Sequence, residues 1–260
     1  MQFQQFEGAG SIVTSAWAQL DALRFLDLSL NTFVGPVPPS FCNLTDLRVL
    51  SLSGQNSGNL DGFTSLPSCL DQLTQLLDLF VSSNALSGAL PNLSTMTHLQ
   101  VLDCSANALS GPLDSGIDSL TELVLLFANS NLFSSVPLSM SAMSALTMVN
   151  LASNRLTEIT DQFEGCAKLT TLDISDNQVA GPLPTLSGCA QLNTLNLHYN
   201  SFNSTIPFAW QSNLPKLVTL HAQHNRIISP VAGIGSLTLL HDIDLRSDNE
   251  TSDSDSTNAP

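Results

Sequence analysis

One spacing recurs along most of the chain and restricts what it can fold into. Apolar residues and a final polar residue follow the pattern L-x-x-L-x-L-x-x-N, for example at Leu146, Val149, Leu151 and Asn154. The final polar position occurs at Asn31, Gln55, Asn84, Asn107, Asn131, Asn154, Asn177, Asn200, Asn225 and Asp248. Self-similarity at a period of about 20–50 residues is typical of solenoids, in which each unit packs only against its neighbours.

Physical chemistry explains why the unit has this form. The alternating leucines of a short strand point into the core, the residues between them face outward, and stacked strands form a parallel sheet. A buried asparagine amide can then bond the unpaired backbone of the following turn and join adjacent repeats. Gly-Pro-rich segments at 35–38, 88–91 and 181–184 punctuate the return path, where we expect few regular helices.

Two stretches carry a family resemblance, LLDLFVSSNALSGALP at 76–91 and LTTLDISDNQVAGPLP at 169–184. Over residues 20–248 the chain resembles leucine-rich-repeat proteins of the plant-receptor type. The resemblance implies an α/β-type repeat solenoid: a curved leucine-rich-repeat horseshoe with a parallel β-sheet on its concave face and a mostly irregular or 3-10 convex side. Departures are Gln55 and Asp248 in place of asparagine, and residues 155–160, which lack the Gly-x-x-Pro turn.

The sequence divides into three segments. Residues 1–20 are predicted to be a partial repeat or an N-terminal cap, residues 21–247 a ten-repeat solenoid, and residues 248–260 a disordered acidic tail without apolar side chains. The second repeat is longer than the others, and its GQNSGNLDGF stretch is predicted to be a loop that protrudes from one edge.

Charge and terminal composition limit the partners and the location. The formal net charge is −15, which disfavours nucleic acids and anionic membranes. The first residues lack the basic and apolar regions of a signal peptide, and no run of 18 apolar residues occurs, so we expect no membrane insertion by this segment. Between a cytosolic protein and a fragment of a longer exported one, we favour the fragment, with an extracellular or cell-surface location.

Cysteines and sequons give weaker signals. The five cysteines do not form the paired clusters that cap many secreted solenoids. Cys166 and Cys189 occupy matching places in adjacent repeats, where either a disulfide or two unpaired buried thiols would fit, and we favour the thiols. Glycosylation sequons at turns or on the convex side begin at Asn43, Asn92, Asn203 and Asn249.

The outward residues of the strands predict a first candidate ligand-binding patch. Asp or Asn is usual in the column between the last two leucines of each repeat, but Phe80 and Phe127 replace it. On the same face we expect Leu77, Val124 and Leu125. Exposed aromatic side chains at this density are typical of a contact surface, whereas a half-buried sheet column would explain the aliphatic residues alone.

Histidines near the end predict a second candidate ligand-binding patch. The strand faces of the last three repeats carry His198, Tyr199, His221, His224 and His241, with Asn196, His221 and Asp244 expected in one row. The cluster fits a pH-sensitive recognition patch or polar residues on a solvated sheet, and a metal site is the least favoured alternative. We predict no metal and no cofactor.

These features favour a binding module over an enzyme. No nucleophile elbow, phosphate loop or H-E-x-x-H motif occurs, and an open wet face lacks the enclosed pocket that catalysis needs. The leading hypothesis is an extracellular receptor or cell-surface segment in signalling or defence, binding a protein, a peptide or a glycan. The resemblance implies that the parent chain could carry a transmembrane helix and a kinase domain. The alternatives are a secreted hydrolase inhibitor of the polygalacturonase-inhibitor type and a protist surface antigen.

Overall fold

A single parallel sheet runs through the whole computed structural model, which describes residues 20–55, 62–228, 234–235 and 237–246. The sheet has ten three-residue strands, in chain order. We number the repeats one to ten by the strands Phe25–Asp27, Val49–Ser51, Asp78–Phe80, Val101–Asp103, Leu125–Phe127, Met148–Asn150, Thr171–Asp173, Thr194–Asn196, Thr219–His221 and Asp242–Asp244. The predicted parallel-sheet solenoid is confirmed.

The strands alternate between the core and the outer surface. In repeats two to nine the middle residue is buried and the two flanking residues are half-buried, as for Leu50 between Val49 and Ser51. The inward leucines belong to one continuous apolar core that extends from repeat to repeat. The outward residues therefore form a half-buried surface that faces away from this core.

A ladder of side-chain amides closes the turn after the strand in repeats one to nine. In repeat six, Nδ2 of Asn154 donates to the carbonyl oxygens of Ala128 and Leu151, and Oδ1 accepts from the N–H of Phe133. Gln55 makes the equivalent bonds in repeat two, donating to Leu28 and accepting from Phe33. The longer side chain thus performs the same work, and the departure from asparagine does not interrupt the ladder.

The residue just before each ladder amide lies in the left-handed region. In all nine repeats where it is described, φ is 52–56° or, for Gly54, 70°. We call these residues the rim column: Leu30, Gly54, Ser83, Ala106, Ser130, Ser153, Asp176, Tyr199 and His224. Because left-handed backbone strains residues that carry a Cβ, its recurrence shows that the turn geometry is imposed by the repeat and not by the local residue type.

The return path is mostly irregular, as predicted. Its short strands are Gly35–Pro36, Phe63–Ser65, Ser87–Gly88, Ala108–Pro112, Leu132–Ser135, Ala180–Gly181 and Ser201–Phe202. Three 3-10 helices, Pro39–Asn43, Leu70–Gln72 and Ile117–Ser119, and one α-helix, Trp210–Asn213, complete the regular elements of the described residues. No strand forms at 155–160, the segment without a Gly-x-x-Pro turn.

The cysteine prediction was wrong in one respect. Cys42 and Cys69 form a disulfide, with 5.9 Å between their Cα atoms, that joins the return paths of repeats one and two. Cys166 and Cys189 are free and buried, as we favoured. Matching repeat positions point both of these thiols into the core, whereas Cys42 and Cys69 lie at different offsets from the next leucine and meet across the coil.

Several sequence predictions fall outside the described residues. They concern residues 1–19 of the N-terminal segment, the centre of the long loop at 56–61, and the tail from 247 onward. Within the described ranges, no helix has the length and apolar character required to cross a bilayer.

Candidate ligand-binding face

The uniform register of the sheet places outward residues in straight columns. Asp103 pairs with Phe80 on one side and with Phe127 on the other, and neighbouring residues in a column are about 4.8 Å apart. The expected row of Asn196, His221 and Asp244 is confirmed. Each repeat therefore contributes one residue to each column of the concave sheet.

Most aspartates of the central column have a structural task. Oδ1 of Asp103 accepts hydrogen bonds from the backbone N–H and the hydroxyl of Ser105, at 3.0 and 2.6 Å. The same pair of bonds links Asp27 to Ser29 and Asp173 to Ser175. These carboxylates fix the chain where each strand ends, which explains their recurrence without a ligand.

The first candidate patch interrupts this column in repeats three and five. Phe80 and Phe127 are half-buried and have no role in strand termination of the kind that aspartate performs. Leu77 and Val124 precede the first strand residue of their repeats, and Leu125 pairs laterally with Val101 and Met148. The structure thus places all five predicted residues in neighbouring columns. Contact with a ligand stays a prediction.

Sequence reasoning missed one carboxylate beside this patch. Asp78 pairs with Val49 and Val101 in a column that is otherwise apolar from repeat one to repeat six. Partial burial raises the pKa of its carboxyl above the usual value. The signal was available, because a single acidic residue in an apolar column weakens packing and points to a task other than stability.

The predicted histidine cluster separates into two groups. The ring centroids of Tyr199 and His224 are 4.1 Å apart with planes within 5°, and His198 meets Tyr199 edge-on at 5.6 Å. Away from this trio, His221 Nε2 lies 2.9 Å from Asp242 Oδ2. The exposed His241 bonds the carbonyl of Leu239.

Asp244, expected beside His221, is engaged by a different neighbour. The Arg246 guanidinium donates to both of its carboxylate oxygens, and these bonds lower the pKa of Asp244 to about 2. Within the described ranges, no three His, Cys, Asp or Glu side chains converge as metal ligands.

The sequons lie where the repeat pattern predicted. Asn43, Asn92 and Asn203 are exposed and lie outside the ten-stranded sheet, while Asn249 falls outside the described residues. Asn43 ends the 3-10 helix Pro39–Asn43. Glycans at the three described positions would leave the concave face uncovered.

Comparison with known families agrees with the geometry. Family models described as leucine rich repeat match residues 22–44, 118–179 and 191–213. The chain is built from leucine-rich repeats. Its repeats are of the plant-receptor-like type, since Receptor-like protein 31 of Arabidopsis thaliana is 38% identical over 85 residues. That match spans 32% of this leucine-rich-repeat chain but only 9% of the relative.

Solved leucine-rich-repeat structures extend the likeness to almost the full chain. The PEPR1–AtPEP1 structure superposes with a TM-score of 0.83 and 27% identity, covering 92% of this chain and 34% of that one. The ectodomain of the Arabidopsis receptor kinase HAESA, solved with a peptide hormone ligand, gives 0.79 and 29% identity, covering 94% and 41%. This leucine-rich-repeat chain therefore spans less than half of either structure.

Proposed function

We propose that this leucine-rich-repeat segment binds a peptide or protein on its concave face, as the extracellular part of a receptor or another cell-surface protein in signalling or defence. One observation carries the proposal: an open, in-register sheet has phenylalanines at positions that elsewhere hold strand-ending aspartates. The fold supports it, because HAESA, a structural neighbour, was solved with a peptide hormone ligand. These neighbours favour a peptide over a glycan, and a receptor segment over an inhibitor or a protist antigen.

The chemistry of the face supports binding and not catalysis. The central-column aspartates are occupied by the serines that follow them, and the His221–Asp242 pair lies on an open surface. Such a pair has no enclosed, water-excluding pocket around it to tune a proton transfer.

The phenylalanines are the expected energetic centre of the interface. A ligand side chain that covers a half-buried aromatic ring removes its remaining apolar surface from water, worth about 25 cal/mol per Å². Central aromatic residues of an interface commonly cost 1 kcal/mol or more when truncated. We therefore expect the loss of both rings to weaken binding by about 2–3 kcal/mol, or roughly 30- to 150-fold.

A peptide selection tests the proposal. The purified chain is immobilised and panned against a random twelve-residue display library, and selected peptides are measured as synthetic, fluorescent ligands. Phe80→Ser combined with Phe127→Ser imitates Ser51 of the same column and should weaken binding. The matched control is Leu138→Ser with Phe208→Ser, which removes two apolar side chains that are 90% and 74% exposed outside the sheet.

The control double variant should bind like the wild type. Failure to select any peptide, or equal loss of affinity in both double variants, would contradict the proposed concave site. Secretory expression followed by glycosidase treatment separately tests the extracellular location, with glycans expected at Asn43, Asn92 and Asn203.

A further inference from the structure

Two stacked rings form a ledge at the edge of the concave face. Tyr199 and His224 occupy the rim column in repeats eight and nine, with φ of 53° and 54°. Their common backbone conformation projects both side chains in the same direction, and the rings lie parallel at 4.1 Å. His224 therefore covers one face of Tyr199 and His198 meets the ring edge-on, while Tyr199 remains 53% exposed and can contact a ligand on the side away from His224.

A carboxylate stands beside that open face. Asp176 is the neighbour of Tyr199 in the rim column and has the same left-handed conformation. The hydroxyl of Ser153, one repeat further back, donates to Asp176 Oδ2 at 2.8 Å. This bond draws the carboxylate toward repeat six, and the exposed Asp176 keeps further lone pairs for a donor on the Tyr199 side.

Charge on the face selects the sign of the ligand group. From repeat three to repeat nine, the strands and the rim column contain Asp78, Asp103, Asp173 and Asp176 and no lysine or arginine. These side chains give repeats three to nine of the face a negative charge. Arg246 of repeat ten interacts electrostatically with Tyr199, and its charge is paired with Asp244. A cation against the face of a tyrosine ring within reach of a carboxylate gains from both interactions.

Unpaired hydrogen-bonding atoms point to a ligand group rich in donors. Of the buried side-chain atoms without a partner among the described residues, three belong to repeats eight and nine: Asn196 Oδ1, His198 Nδ1 and Gln223 Oε1. The two amide oxygens are acceptors, and the imidazole nitrogen accepts in one tautomer. This part of the face therefore suits a ligand group that donates hydrogen bonds better than an acidic one.

We propose that Tyr199 and Asp176 form a subsite for an arginine side chain of the bound peptide. The inference rests on the proposed function and names the chemistry of one part of that site. The guanidinium lies flat on the free face of Tyr199 and its edge donates to Asp176. Arginine fits better than lysine, because a planar group stacks on a ring and donates sideways at the same time.

Column spacing also sets where the arginine occurs in the ligand. Phe80 and Phe127 share the central column and are two repeats apart, or about 10 Å at about 4.8 Å per strand. Tyr199 lies three repeats beyond Phe127, or about 14 Å across the strands, and also three residues further along the chain, in the rim column. An extended peptide advances about 3.3 Å per residue. A ligand that crosses the strands should therefore carry apolar residues at i and i+3 and, because it must also step from the central column to the rim column, arginine at about i+7 to i+9.

A matched peptide pair tests the subsite. The probe is a set of twelve-residue libraries with apolar residues fixed at i and i+3 and with arginine, lysine, citrulline and glutamate mixed at i+7, i+8 or i+9. Enriched peptides are resynthesised with arginine or its neutral isostere citrulline, and both are titrated by fluorescence anisotropy. The wild type should bind the arginine form about tenfold more tightly, as expected for a cation–π contact plus an exposed ion pair.

Variants assign that preference to named residues. Tyr199→Ala and Asp176→Ser introduce residue types that the rim column carries elsewhere, at Ala106 and Ser130, so the turn should persist. Each should reduce the arginine preference from about tenfold to about threefold, because the other of the two contacts remains. Asp161→Ser, which removes an exposed carboxylate outside the sheet, should leave the tenfold preference unchanged.

The outcomes separate this inference from the proposed function. Equal affinity for arginine and citrulline peptides in the wild type would overturn the subsite, while binding that still depends on Phe80 and Phe127 would uphold the concave site. Absence of any selected peptide would overturn both. If Tyr199→Ala fails to fold by circular dichroism, Asp176→Ser and the wild-type peptide pair still decide the matter.

Discussion

Removing one amide from the ladder gives a sharp test of how neighbouring repeats are joined. Asn154 is suited to it because it is buried in the middle of the solenoid, with 8% exposure. Its side chain donates to Ala128 and Leu151 and accepts from Phe133, each at 3.0 Å. Asn154→Ala deletes these three bonds, together with a longer one from Nδ2 to the carbonyl oxygen of Ala152 at 3.3 Å, without adding bulk.

The expected cost follows from these bonds. Losing the two bonds to carbonyl oxygens removes about 1 kcal/mol each, and the buried Phe133 N–H, left without a partner, costs about 2 kcal/mol. The free energy of unfolding should therefore fall by about 4 kcal/mol, a large share of the 5–15 kcal/mol typical of folded proteins. Two control variants test whether this loss of stability comes from the hydrogen bonds.

Asn154→Gln should cost only about 1–2 kcal/mol, because Gln55 makes equivalent bonds in repeat two. Exposed Asn193→Ala should change stability by less than about 0.5 kcal/mol.

Urea unfolding followed by circular dichroism measures the free energies of these variants. Because solenoids can open repeat by repeat, hydrogen exchange at the Phe133 amide is measured in parallel to report on the local junction. A loss below about 1 kcal/mol for Asn154→Ala would refute the ladder account, since the predicted unpaired N–H alone costs that much. Equal losses for the alanine and glutamine variants would show that side-chain shape matters here and hydrogen bonding does not.

Three further predictions follow from buried or constrained groups. Removing the disulfide by Cys42→Ala and Cys69→Ala should cost about 3.5 kcal/mol from the 27-residue separation, measured as a lower urea midpoint. Asp78→Val should raise the melting temperature at pH 7. That gain should shrink as pH falls through the raised pKa of Asp78, because protonation removes the penalty of burying the charge, and melting curves at pH 7 and pH 3 measure it. Burial raises thiol pKa values to about 11 or 12, so at pH 8 a thiol reagent should label only unfolded protein at Cys104, Cys166 and Cys189.

The fold was predictable because every repeat has the same pattern of apolar and polar residues. Inward leucines followed by a terminal amide, repeated nine times, leave only one arrangement that buries the apolar side chains and satisfies the turn backbone. Gln55 fits the same arrangement, since its carboxamide reaches the equivalent backbone groups in repeat two. The disulfide between Cys42 and Cys69 was not predictable in this way, because the irregular return path decides which different offsets come together.

The candidate site likewise has features that the sequence spacing predicts and features that it does not. Column membership depends only on the strand register, so Phe80, Phe127 and the row through His221 could be placed from spacing alone. Contacts between side chains depend on the direction in which each one leaves the backbone, which the spacing does not carry. Tyr199 stacks on His224 because both residues lie on the left-handed turn of their repeats. His221 lies three residues before His224, on the strand, and contacts Asp242 instead. The rim column, whose conformation is constant and whose residue types vary from glycine to tyrosine, is therefore where this repeat can change its specificity at the least cost to its fold.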